Sequence, residues 1–115
     1  MPAEEFEKAY HELLAGTVAA RPNIRFVLGE PFTEPGGRHK EDFAAWRAEI
    51  RKRQDAVARL AAKYHAVLVR YQQAFDRACE RAPADYWIWD AIHPTYAGHQ
   101  IMADAWEAAV AAGLR

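Results

Sequence analysis

Residues 24–28 (Ile-Arg-Phe-Val-Leu) and 66–69 (Ala-Val-Leu-Val) are the two strand-like stretches of this chain, and helical patterns flank both. Strands alternating with helices predict an α/β fold with a parallel sheet and helices on both of its faces. That same pattern creates a difficulty. Two short parallel strands make a poor sheet, because parallel sheets need neighbouring strands and cover on both sides. Either another chain supplies further strands, or residues 1–115 are one partial domain, the C-terminal part of a larger one. The second explanation is the simpler.

The helical patterns are clear. Over residues 3–20, Phe6, Tyr10, Leu13, Leu14 and Val18 fall on one face, with Glu4, Glu5 and Glu7 at the end where the macrodipole favours acids. Over residues 41–63 the apolar positions are Phe43, Trp46, Ile50, Val57 and Leu60, continuing to Tyr64. The basic run on the opposite face (Arg51, Lys52, Arg53, Arg59) reads as a solvated surface. Residues 30–38, with two prolines and a glycine pair, form a loop. A short helix over 72–81 stops before Pro83, an extended segment carries Tyr86 to Trp89, and a last helix covers 95–112 and ends at Gly113.

Hydrophobic residues make up 51% of the 115, enough for a packed core, and the formal charge of −1 argues against a nucleic-acid or anionic-membrane surface. No apolar run is long enough to span a bilayer. The acidic start (Met1-Pro-Ala-Glu-Glu) is no secretory signal, so the chain as it stands is expected in the cytoplasm, although an upstream true N-terminus would reopen that question. Cys79 is the single cysteine, and its place in an amphipathic helix suits inert packing.

The chemistry concentrates at Asp90-Ala-Ile-His93-Pro94-Thr-Tyr-Ala-Gly98-His99. A carboxylate three residues before a histidine can fix the tautomer of an imidazole base and stabilise its protonated form. The plainer alternative is a turn-capping aspartate beside a loop histidine. His99 lies close enough to join the pair as a metal ligand, but no further donor falls at a zinc spacing, so no metal and no cofactor are expected. The sequence contains no serine.

In this order, the stretches Glu5-Phe-Glu-Lys-Ala-Tyr10, Phe26-Val-Leu-Gly-Glu-Pro-Phe32, Tyr71-Gln-Gln-Ala-Phe-Asp76 and Asp90-x-x-His93-Pro94 resemble the C-terminal half of an SGNH (GDSL-type) hydrolase. The resemblance implies a three-layer α/β/α, flavodoxin-like domain of parallel strands. It also implies ester hydrolysis, commonly of acetyl groups on carbohydrates or of short acyl chains. His93 would be the general base and later the acid, Asp90 would orient it, and Pro94 would shape the turn. Family members carry the nucleophile in an N-terminal Gly-Asp-Ser, and complete the oxyanion hole with a glycine and with the asparagine of Gly-x-Asn-Asp. None of these motifs occurs here, and residue 91 is alanine where many relatives have glycine.

Around the pair, Trp87 and Trp89 alternate on an extended segment and would face the same side, either packing in the core or stacking on a sugar ring. Trp89 and Tyr96 are candidate pocket residues, and Glu30, just past a strand end, would edge the cleft. His11, His39 and His65 call for no functional role. The expected partner is a small-molecule or carbohydrate ester in the complete enzyme. The other reading is a non-catalytic binding module. With one sheet edge exposed, the isolated chain is expected to self-associate.

Overall fold

The computed structural model describes residues 1–114. Its elements run α1 (Ala3–Ala20), β1 (Val27–Gly29), α2 (Phe43–Lys63), β2 (Val67–Val69), α3 (Tyr71–Ala78), α4 (Ala84–Trp87) and α5 (Tyr96–Gly113). β1 and β2 pair in parallel, with Val27 opposite Val67, Leu28 opposite Leu68 and Gly29 opposite Val69. This is the α/β arrangement expected from the alternating pattern.

Side chains alternate across a strand, and here the alternation divides the core in two. Leu28 and Leu68 belong to a cluster with Leu14 of α1 and with Val57, Leu60 and Ala61 of α2. Val67 lies on the other face, where Gly113 of α5 sits so close that a Cβ at Gly113 would come within 2.5 Å of a Val67 methyl. Around α5, Phe75, Ala78, Trp87 and Ile88 form the second cluster, packed against Ala97, Ile101 and Met102. Helices therefore cover both faces of the two-stranded sheet. α1 and α2 are further tied by a bidentate pair, with Arg59 Nε and Nη2 donating to the two Glu7 carboxylate oxygens at 2.9 and 2.7 Å. The pair lies at the solvated surface, where screening and side-chain entropy keep its contribution small.

Three expectations need correction. The first strand begins at Val27, not Ile24, because the ladder exists only where β2 lies alongside, and Ile24 is 43% exposed. Leu13 is 66% exposed, since its neighbour Leu14 takes the buried position one residue further round the helix. The segment before the Asp90–His93 turn is not extended throughout. Pro83 starts the single turn of α4, whose closing bond runs from the Ile88 amide to the Ala84 carbonyl. Trp87 is thereby buried while Trp89 is exposed, so the two indoles do not share a side.

Candidate active site

The turn between α4 and α5 is built almost entirely from local bonds. Asp90 Oδ1 accepts from the Ile92 amide at 3.0 Å and from the His93 amide at 2.7 Å, closing the chain back on its own carboxylate. The Trp89 amide donates to the His93 carbonyl at 3.2 Å, and Ile88 and Pro94 form an isolated antiparallel bridge. Thr95 then caps α5. Its hydroxyl accepts from the Gly98 amide at 3.1 Å and donates toward the Tyr86 carbonyl at 2.6 Å. Gly98 is required there, because a Cβ would run into the Trp87 carbonyl.

This geometry leaves the second Asp90 oxygen for the imidazole. Asp90 Oδ2 and His93 Nδ1 are 2.6 Å apart. A proton on Nδ1 donated to the carboxylate leaves the Nε2 lone pair available in the neutral ring. Burial works to raise the Asp90 carboxyl, but the His93 amide, the His93 ring and the Ile92 amide outweigh it and hold it down at about 2. The carboxylate is therefore ionised at any pH where the imidazole would act as a base. The His93 side chain is 65% exposed, open to a reacting group.

His93 and Asp90 line a cavity of about 590 Å³ with Ile92, Arg38, His39 and Trp46. The wall opposite the pair is preorganised. His39 stacks on Trp46 with centroids 4.0 Å apart and planes 8° from parallel, and His39 Nδ1 lies 3.2 Å from Asp42. Trp46 Nε1 in turn donates to Thr33 Oγ1 at 2.8 Å. A base with an available nitrogen beside a partly apolar cleft can deprotonate a hydroxyl nucleophile held there.

No family model matches the chain and no curated relative matches it, but solved structures do. A GDSL-like lipase from Parabacteroides merdae superposes with a TM-score of 0.89 at 34% identity, covering 96% of this chain and 50% of the lipase. The chain is thus similar in sequence and fold to one half of a GDSL-like lipase. An α/β hydrolase enzyme from the metagenome of Lake Arreo, Spain, is also 34% identical, with a TM-score of 0.80, over 96% of this chain and 48% of its own. An acetylxylan esterase from Geobacillus stearothermophilus shares the fold, with a TM-score of 0.77 at 24% identity over 94% of this chain and 47% of the esterase. The chain spans about half the length of the solved structures it matches, a share that fits a C-terminal half.

The other residues singled out in the sequence are dispersed. Trp89 does lie beside the pair, its ring stacked on His93 with centroids 5.9 Å apart and planes 23° from parallel. Tyr96 does not line the cavity; it is 98% exposed in the first turn of α5. Glu30 is not at the cleft edge either. It is buried, and its Oε1 accepts from the Gln72 amide at 3.1 Å, because the chain turns inward after β1. His39, given no role from sequence, is in the cavity wall. Its stack on Trp46 spans a loop whose path no periodicity reveals. Among the described residues, no group of three His, Cys, Asp or Glu side chains could hold a metal ion, and no helix is long and apolar enough to cross a membrane.

Beneath the loop lies a second polar cluster. Gln72 Nε2 donates to Glu34 Oε1 at 3.1 Å and Asp76 Oδ1 at 2.8 Å, and burial together with Asp76 raises the Glu34 carboxyl to about 8. Burial likewise pushes the Cys79 thiol up to about 11, with Glu34 and Asp76 adding to the effect. A thiol so poorly ionised is no substitute nucleophile.

Proposed function

We propose that this chain is the acid–base half of a GDSL-type ester hydrolase, a single partial domain over residues 1–115 in which Asp90 and His93 work together. The supporting observation is the 2.6 Å bond between Asp90 Oδ2 and His93 Nδ1, which leaves Nε2 uncommitted. A serine hydroxyl carried by the other half of the domain attacks the ester carbonyl, and His93 Nε2 takes its proton. Asp90 stabilises the imidazolium. Collapse of the tetrahedral intermediate expels the alcohol, which receives that proton from His93. Water, deprotonated by the same nitrogen, then attacks the acyl-serine carbonyl, the bond to the serine oxygen breaks with return of the proton from His93, and the acid is released.

The substrate class is a small-molecule or carbohydrate ester, with Trp89, Trp46 and Ile92 offering apolar surface to its acyl or alcohol part. The chain alone lacks serine and should turn over negligibly, since what remains of a triad without its nucleophile is binding and the oxyanion hole. The same absence of serine is what favours the second reading, a non-catalytic interaction module.

The test is aryl acetate hydrolysis by the chain alone and after co-refolding with a GDSL-type N-terminal half bearing Gly-Asp-Ser. We expect no turnover alone and turnover with the added half, abolished by His93→Ala. A stable complex that hydrolyses equally well with His93→Ala would overturn the assignment.

A further inference from the structure

We propose that Thr33 is a positioning residue for the Asp90–His93 pair, acting through the Ala91 carbonyl. Thr33 and Ala91 are both fully buried, and Thr33 Oγ1 donates to the Ala91 carbonyl at 2.8 Å. The direction of that bond is fixed by chemistry. The Trp46 indole N–H, a donor only, already points at the same hydroxyl oxygen, so the hydroxyl proton goes to Ala91.

What the bond holds is unusual. Ala91 has φ of +75°, a left-handed conformation that an L-alanine keeps only when its surroundings impose it. Ala91 sits between Asp90 and the two amides, Ile92 and His93, that bond back to Asp90 Oδ1. Rotation of the peptide after Ala91 would swing both amides away from that oxygen and carry the imidazole off Oδ2. Thr33 is itself well anchored. Its amide donates to Gln72 Oε1 at 2.9 Å, and its carbonyl accepts from Gln72 Nε2 at 2.9 Å. The loop after β1 is thus a bracket, with Gln72 of α3 at one end and the catalytic-type turn at the other. Gly37 completes it: its φ is +53°, and a Cβ there would approach the Asp90 carbonyl to 2.8 Å.

The importance of this bracket for catalysis rests on the acid–base reading above, but its geometry is measurable without turnover. The experiment compares Thr33→Val, which keeps the shape and loses the hydroxyl, with Thr33→Ser in the isotopically labelled chain. The readout is exchange with water of the His93 Nδ1 proton and of the Ile92 and His93 amides. In Thr33→Val these should exchange roughly fivefold faster or more, while amides within α2 keep their rates and Thr33→Ser restores protection. Unchanged exchange in a folded Thr33→Val would overturn the proposal. So would acceleration shared equally by α2, which would make Thr33 an ordinary core residue. Should Thr33→Val fail to fold, Thr33→Ala removes the same hydroxyl with a smaller side chain. The same local acceleration then supports the bracket, and its absence overturns it. Loss of turnover in the co-refolded enzyme does not enter this test, so failure of the esterase reading is distinguishable from failure of this one.

Discussion

Trp89 stacks on His93 although the indole is 61% exposed, so the ring covers one face of the imidazole while leaving its edge open. Trp89→Ala should therefore shift the His93 ring-proton resonances downfield by removing the indole's ring current. Its cost in stability should be small, within about 0.5 kcal/mol, as for other exposed substitutions. Two-dimensional spectra of the imidazole region and a urea titration check both halves of the statement.

The left-handed Ala91 leads to a second prediction. Ala91→Gly should stabilise the chain by about 1 kcal/mol, because glycine adopts this conformation without the Cβ clash. Ala91→Val should destabilise by more than that, since the position is fully buried as well as left-handed. Equilibrium unfolding midpoints of the two variants, read against the parent, would rank them.

Gly98 sets a limit of the opposite kind. A side chain there meets the Trp87 carbonyl, which also accepts from the Thr95 amide at 2.9 Å. Gly98→Ala should cost about 2 kcal/mol or more by pushing α5 off its cap. Thermal unfolding followed by circular dichroism should show that loss as a lowered transition.

Stability should also depend on pH through Glu34. Burial and the neighbouring Asp76 push its folded-state carboxyl up to about 8, above the ordinary 4.5 of a glutamate, so the unfolded chain releases this proton first as pH rises. The unfolded state then binds fewer protons, and stability falls across that window. Glu34→Gln should flatten the fall, gaining on the order of 1–3 kcal/mol at pH 9 relative to pH 5. Asp90 contributes with the reverse sign. Its carboxyl is held down at about 2, so its stabilisation is present above the unfolded value of 3.8 and is lost as pH falls from there through about 2. Urea midpoints at pH 3, 5, 7 and 9 separate the two groups.

Leu13 and Ile24 lie exposed, and β1 pairs only with β2 among the described residues. An open strand edge beside uncovered apolar side chains invites pairing with another copy. The isolated chain should sediment as concentration-dependent oligomers, and Leu13→Lys should shift it toward monomer. A single monomeric boundary at all concentrations would remove this expectation.

The helices were legible because their burial repeats: Val57 and Leu60 line the inner face of α2, and Tyr64 at its C-cap packs on the same cluster, as their spacing implies. The Asp90–His93 pair was legible because both partners sit within one turn of chain. Where contacts depend on the path of an irregular loop, the sequence carries no period to read. Thr33 meets Ala91 across 58 positions and Trp46 across 13, and neither separation leaves a pattern. The indoles at 87 and 89 misled for a related reason. Alternation predicts a shared face only on an extended segment, and Pro83 initiates a helical turn there instead.

The polar side chains that hold the Asp90 turn, Thr33 with its supports Trp46 and Gln72, all come from residues 33–72 of the same polypeptide. The geometry of the Asp90–His93 turn is therefore held from within this polypeptide. It would travel intact if residues 33–99 were grafted, shuffled or expressed apart from any nucleophile, and under the proposed esterase reading the attacking hydroxyl and the oxyanion-hole donors would still have to be supplied.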